Sequence, residues 1–152
     1  MIFQRVNRTD PEKIFIVVYN SYSTAAITVG QVVQWDFGTD IDGVGVTRPT
    51  ARATNAGWAT AGAVASPSIA AGSYGLVQVY GYHPSLRVRT VTGGSPAIVA
   101  GRPLIVNVAG SVFCAESVST ASTAILTKPF AFALEATAGF TTIAKKAFIK
   151  AL

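Results

Sequence analysis

The side chains best able to do chemistry in this chain are few: one histidine, one cysteine and three aspartates that stand close together. General acid–base and nucleophilic catalysis need a group poised near neutral pH, and His83 is the only imidazole. It stands in Gly81-Tyr82-His83-Pro84, which reads as a turn flanked by aromatics at a strand end. A partly exposed histidine there makes hydrogen bonds or touches a partner. Gly72-Ser73-Tyr74-Gly75 lacks the Gly-x-Ser-x-Gly spacing of a nucleophile elbow, and a strand rather than a helix is expected after it. Cys114, inside Val112-Phe113-Cys114-Ala115, has no second cysteine for an intrachain disulfide and reads as a small buried hydrophobe.

Asp36, Asp40 and Asp42 are the weak candidates for a metal, since oxygen-rich loops can hold calcium. The calcium-loop pattern wants a glutamate at position twelve, which counted from Asp40 is Ala51. The competing reading is an Asx-type turn, in which the carboxylates accept backbone N–H groups. Gly43-Val44-Gly45-Val46-Thr47-Arg48 breaks the dinucleotide fingerprint at its last glycine, and one Cys with one His cannot make a zinc set. The expectation is a non-enzyme with no catalytic residues, no cofactor and no metal.

The elements that position these residues read as strands. Ile14-Phe15-Ile16-Val17-Val18-Tyr19 is a β-branched and aromatic run, expected to be a central strand buried on both faces. Ala26-Ile27-Thr28-Val29-Gly30, Ser68-Ile69-Ala70-Ala71-Gly72 and Ala97-Ile98-Val99-Ala100-Gly101 repeat one phrase, Ile-x-x-Gly, each before a strand. The isoleucine can plug a core while the glycine adopts positive φ. The glycines are unevenly spaced, which excludes a solenoid or propeller of fixed period. Leu86-Arg87-Val88-Arg89 alternates as a strand with one wet, basic face. Trp35 and Trp58 read as core. Tyr74, Tyr80 and Tyr82 cluster around an uncharged hairpin, where tyrosine serves core and interface equally. The tail, residues 144–152, has helix-forming composition, but pairing with Phe130-Ala131-Phe132-Ala133-Leu134 favours a strand. Strands at short intervals with Gly, Ser, Thr and Pro between them predict one all-β domain, a barrel or sandwich, over residues 14–152. Residues 1–13 are polar and basic and read as an N-terminal arm lying on a neighbour or as a frayed terminus.

Composition narrows the function classes. Half of the 152 residues are hydrophobic and only 12% are charged, against ~25% in ordinary soluble domains. From Ala53 to Leu86 there is no charged residue at all. A membrane helix would need about 20 consecutive apolar residues, and the prolines and glycines of that stretch exclude one. The start lacks a signal-peptide core, so manufacture in a cytoplasm without secretion is expected. Burial between chains explains the missing charge, because interface cores are charge-poor and aromatic-rich. The net charge of +5 is scattered rather than clustered, which argues against nucleic acid and for an acidic protein surface.

The phrases Asp42-Gly43-Val44-Gly45-Val46-Thr47-Arg48-Pro49, Ile69-Ala70-Ala71-Gly72-Ser73-Tyr74-Gly75-Leu76-Val77-Gln78-Val79-Tyr80-Gly81, Ala100-Gly101-Arg102-Pro103-Leu104 and Phe132-Ala133-Leu134-Glu135-Ala136, in that order, resemble the capsid decoration (cement) proteins of tailed bacteriophages. The likeness spans residues 14–152. It implies a β-barrel-like subunit on the outside of a mature phage head in the virion. Such subunits commonly sit as homotrimers where capsomers meet, with the major capsid protein as partner and with no catalytic residues. The residues expected at the interface are Arg5, Arg8, Tyr74, Tyr80, Tyr82, His83, Arg87 and Arg89. The alternative is a head-fibre or tail-associated module that binds a receptor or glycan through the aromatics around His83, and a third reading is a metal-dependent enzyme built on the three aspartates.

Overall fold

A computed structural model of the chain describes residues 12–40, 43–49, 60–64, 67–90, 97–107, 114–117, 129–137 and 141–151. Every regular element among them is a strand: β1 (Lys13–Asn20), β2 (Val32–Trp35), β3 (Gly45–Thr47), β4 (Thr60–Val64), β5 (Tyr74–Val88), β6 (Pro103–Asn107), β7 (Cys114–Ser117), β8 (Ala131–Ala133) and β9 (Ile143–Lys150). The all-β expectation therefore holds, and the tail is a strand, paired with β8 through Phe132↔Phe148. The strands lie in the order β1-β3-β2-β4-β5-β7-β6-β8-β9, and β5 pairs in addition with both end strands, β1 and β9. Those two extra pairings close the row into two five-membered rings, β1-β3-β2-β4-β5 and β5-β7-β6-β8-β9. Closure removes the open sheet ends that would otherwise invite aggregation.

β5 belongs to both rings. Its first half pairs with β1 from Tyr19↔Tyr74 to Lys13↔Gly81, and its second half pairs with β9 from Tyr80↔Lys150 to Val88↔Ile143. Tyr80 and Gly81 carry both pairings, so β1 and β9 lie on opposite edges of β5 at the crossover. The expected turn at Gly81-Tyr82-His83-Pro84, and with it the tyrosine hairpin, is replaced by one continuous strand of 15 residues. Both supposed turn residues serve the strand instead. Gly81 has φ 99°, and a β-carbon there would stand 2.0 Å from the carbonyl oxygen of Glu12, so glycine lets β1 come close. Pro84 has no N–H to give, and the ladder steps from His83↔Ala147 to Leu86↔Lys145, leaving Pro84 and Ser85 as a bulge opposite Lys146.

Each ring encloses its own core. Val18, Ile27, Val33, Val46, Ile69, Val77 and Val79 fill the first. Leu86, Val88, Ile98, Leu104, Val106, Phe130, Ala131, Ala133, Ala147 and Ile149 fill the second, and Val32 and Ala63 join them from β2 and β4. Neighbouring residues Val32 and Val33 thus serve different cores, and β2 is the strand buried on both faces. β1, which the sequence marks for that place, buries Val18 while Phe15 and Val17 stand exposed. An unbroken apolar run cannot by itself tell a strand between two layers from one whose outer face awaits a cover.

The Ile-x-x-Gly turns hold the rings together. Ile27, Ile69 and Ile98 are buried, and Gly30, Gly72 and Gly101 adopt φ of 79°, 69° and 83°. Ile27 pairs with Ile69, and Ile98 with Thr137. The Gly72 N–H donates to Asn20 (3.0 Å) and the Gly101 N–H to Ala133 (2.7 Å), so a turn in each ring is tied in the same way to the strand beside it. Fully burying an isoleucine contributes about 1.5–3 kcal/mol, which makes these plugs comparable with any single residue of the cores.

Candidate functional site

Period-2 alternation along β1 and β5 sends one set of side chains inward and the other outward. In the first ring the outward set is Phe15, Val17 and Tyr19 on β1 beside Leu76 and Tyr74 on β5. Val17↔Leu76 and Tyr19↔Tyr74 are direct cross-strand partners, and the two tyrosine rings lie 5.2 Å apart at 57°. Phe15 is 41% exposed, Val17 62%, Tyr74 69% and Leu76 40%. These five side chains carry no charge and make one contiguous apolar zone. Gln78, next in the row, is buried and turns its amide onto its own strand, donating to the carbonyls of Tyr80 (3.1 Å) and Tyr82 (3.0 Å).

Across the crossover the outward set changes character. Tyr80 and Tyr82 are half-buried; the Tyr80 ring meets Phe148 edge-on at 5.1 Å, and Lys13 Nζ lies 5.8 Å from the centre of the Tyr82 ring, within cation–π range. The bulge at Pro84 and Ser85 then exchanges the faces. Leu86 and Val88 are buried, and Arg87 and Arg89 are half-exposed, as the alternation in the sequence requires. Phe148 and Lys150 extend this zone onto β9, and beside it Lys146 Nζ bridges the Glu135 carboxylate at 2.8 Å. The hydrogen bond to Lys146 is the main reason that Glu135 titrates below, and Lys146 above, its ordinary range. The outer surface of the shared strand is therefore apolar over the first ring and aromatic and basic over the second.

The remaining candidates divide as follows. His83 is only 1% exposed, and its Nδ1 accepts the Ser85 N–H at 3.2 Å. The expectation of a partly exposed contact residue is corrected, because inside a continuous strand His83 falls in the inward set. Ser73 lies in the Gly72 turn, its carbonyl accepting the Asn20 N–H at 2.9 Å, and the strand β5 follows it. The Asp36 carboxylate accepts the Thr39 hydroxyl and the Asp40 carboxylate the Gly45 N–H, the turn chemistry weighed against calcium. Among the described residues no group of three or more His, Cys, Asp or Glu side chains converges as metal ligands. Trp35 packs against the first core. Arg5, Arg8, Asp42 and Trp58 lie outside the described residues, and Cys114 is described as backbone of β7 only.

Phe15, Val17 and Leu76 are the surface residues that sequence reasoning missed. Their signal was present: on a chain this poor in charge, an apolar run with period-2 spacing has two faces, and only one needs to meet the chain's own core.

No protein-family model and no curated protein sequence matches the chain. Among solved structures it is similar to the N base of the head fibre protein gp8.5 of bacteriophage phi29, at 15% identity and a TM-score of 0.48, covering 92% of this chain and 96% of that one. A likeness at that score assigns neither family nor role.

Proposed function

We propose that this chain is a non-enzymatic structural protein of a tailed-phage virion, which binds the outer surface of the capsid and stabilises the shell by burying its own charge-poor surface. The observation that carries the reading is the apolar zone of β1 and β5, a surface that the folded chain leaves in water although its composition is that of a covered one. The ordered resemblance to decoration proteins supplies the partner, the major capsid protein. The aromatic and basic half of the surface, with Arg87, Arg89 and Lys150, suits an acidic lattice.

Work by surface burial needs no poised acid, base or nucleophile; His83 is buried in the wall of the second ring, and Ser73 stands in a turn that leads into a strand. The test is co-sedimentation of purified protein with phage heads. Binding to expanded heads, and not to unexpanded ones, is expected; absence of binding to either contradicts the proposal. A head-fibre or tail module recognising a glycan through Tyr80, Tyr82 and Phe148 would instead score on a glycan array, where a cement protein gives no signal.

A further inference from the structure

Histidine is the side chain that changes charge nearest to neutral pH, and the fold buries His83 at 1% exposure. Its Nδ1 accepts the Ser85 N–H at 3.2 Å, so that nitrogen carries no proton in this arrangement and the ring is neutral. We infer that His83 is an acid-sensitive latch on the β5 bulge: protonation of Nδ1 breaks the bond to Ser85 and loosens the joint at which the two rings meet. None of this depends on where the protein works.

What the latch holds lies in the backbone around it. Pro84 and Ser85 are the bulge that exchanges the faces of β5, and so sends Leu86 and Val88 inward and Arg87 and Arg89 outward. Pro84 has no N–H, and the bond from Ser85 to His83 spans the residue that cannot donate. The Gly30 turn of the first ring rests on the same bulge. A β-carbon on Gly30 would stand 1.9 Å from the Ser85 carbonyl oxygen, and the Gly30 carbonyl accepts the Arg87 N–H at 2.8 Å. A shift of Ser85 therefore reaches both rings.

A proton on Nδ1 points at the Ser85 N–H, donor against donor, and puts a charge inside the wall of the second ring. The described charges around it do not offset this. Lys13 stands on β1, Arg87 and Arg89 beyond the bulge, and Lys145, Lys146 and Lys150 on β9, with the phenols of Tyr80 and Tyr82 along the same surface. β2, β4, β6 and β8 carry no charged residue. Of the carboxylates, Glu12 is exposed ahead of β1, Glu116 belongs to β7, which meets β5 only at Val88, and Glu135 is bridged by Lys146 at 2.8 Å.

In the unfolded chain the histidine meets none of these obstacles and takes a proton near its ordinary value of about 6.5. The contribution of the neutral, bonded imidazole to stability is therefore whole above that value and is lost as the pH falls below it. Glu135, which titrates below its ordinary 4.5, acts in a separate window.

The test is urea unfolding of the full chain at about pH 7, 6 and 5, for wild type and for His83→Asn, whose amide oxygen can accept the Ser85 N–H but takes no proton. The folding equilibrium constant of wild type relative to the variant is expected to fall by up to about tenfold per pH unit below the ordinary histidine value. In wild type, NMR should find the imidazole neutral below that value for as long as the chain is folded, and hydrogen exchange should show the Ser85 and Arg87 amides opening in acid before those of β1. Equal pH slopes for the two proteins, an imidazole that takes its proton at its ordinary value in the intact fold, or Ser85 and Arg87 amides as protected in acid as at neutral pH overturns the inference. Should His83→Asn not fold, the imidazole titration and the two amides decide it.

Discussion

Ile27 and Ile69 exchange both of their backbone hydrogen bonds, the Ile27 N–H to Ile69 at 2.9 Å and the Ile69 N–H to Ile27 at 2.8 Å. Two copies of the repeated Ile-x-x-Gly turn, 42 residues apart, are thereby one structural unit, with both side chains in the first core. The Ile69 carbonyl also accepts the buried Asn20 Nδ2 at 3.0 Å, and its side chain lies so close over Gly75 that a β-carbon there would meet it at 2.4 Å.

Replacing either plug leaves a cavity that closed strands cannot collapse into. Ile69→Ala should lower unfolding free energy by about 2–5 kcal/mol, read from the midpoint of a urea titration at unchanged slope. Val99, next to the buried Ile98 but itself 49% exposed, should tolerate alanine with little change.

The turn glycines should not respond alike. Gly101 has open space where a β-carbon would go, whereas at Gly30 that atom would stand 1.9 Å from the Ser85 carbonyl oxygen. Gly101→Ala therefore carries only the positive-φ strain, about 1–2 kcal/mol. Gly30→Ala must in addition push the turn off β5 and weaken the Gly30 carbonyl's bond from the Arg87 N–H, now 2.8 Å. Thermal melts of the two variants should differ clearly, with Gly30→Ala the lower.

Asn20 is fully buried. Its amide donates to Ile69 and its Oδ1 accepts the Tyr22 N–H at 2.9 Å. Asn20→Ala takes from the Tyr22 N–H its bond to Oδ1, while the Ile69 carbonyl keeps the Ile27 N–H, a loss of about 1–3 kcal/mol. Asn20→Asp should be the more damaging of the two at neutral pH, since it puts a carboxylate against the Ile69 carbonyl without a compensating charge, and its stability should recover as the pH falls and the carboxyl protonates.

The Glu135–Lys146 pair gives a small pH dependence of known sign. Glu135 titrates below its ordinary 4.5 in the fold, so its contribution is present above that value and is lost as the pH falls through the lowered one. Lys146 titrates above its ordinary 10.5, so its contribution is present below that value and is lost only as the pH rises through the raised one. Glu135→Gln should leave stability flat across neutral pH and remove part of the loss on acidification, in a pair this exposed a modest effect, measurable as the difference between wild-type and variant urea midpoints at acid and neutral pH.

Local chemistry was legible in the sequence wherever a residue's role depends on its neighbours. The Ile-x-x-Gly turns, the alternation at Leu86-Arg87-Val88-Arg89, the strand over the tail and the Asx-type role of Asp36 and Asp40 follow from side-chain period and backbone conformation. What stayed hidden depends on distant parts of the chain. Gly81 and Pro84 look like a turn because turns favour them; only the approach of Glu12 and the bulge opposite Lys146 make them residues of one shared strand. The same error put His83 on the surface. The outer face of β1 was hidden for another reason, since Phe15 and Val17 carry the same apolar signature whether a second layer of the same chain or another molecule covers them.

Where the protein lies is tested most directly by a reconstruction of the virion of the phage that encodes it. Density for the two-ring fold is expected on the outer surface of the head, with the outer surface of β5 against the shell. Absence of that density from the head, or its presence on the tail alone, would contradict it.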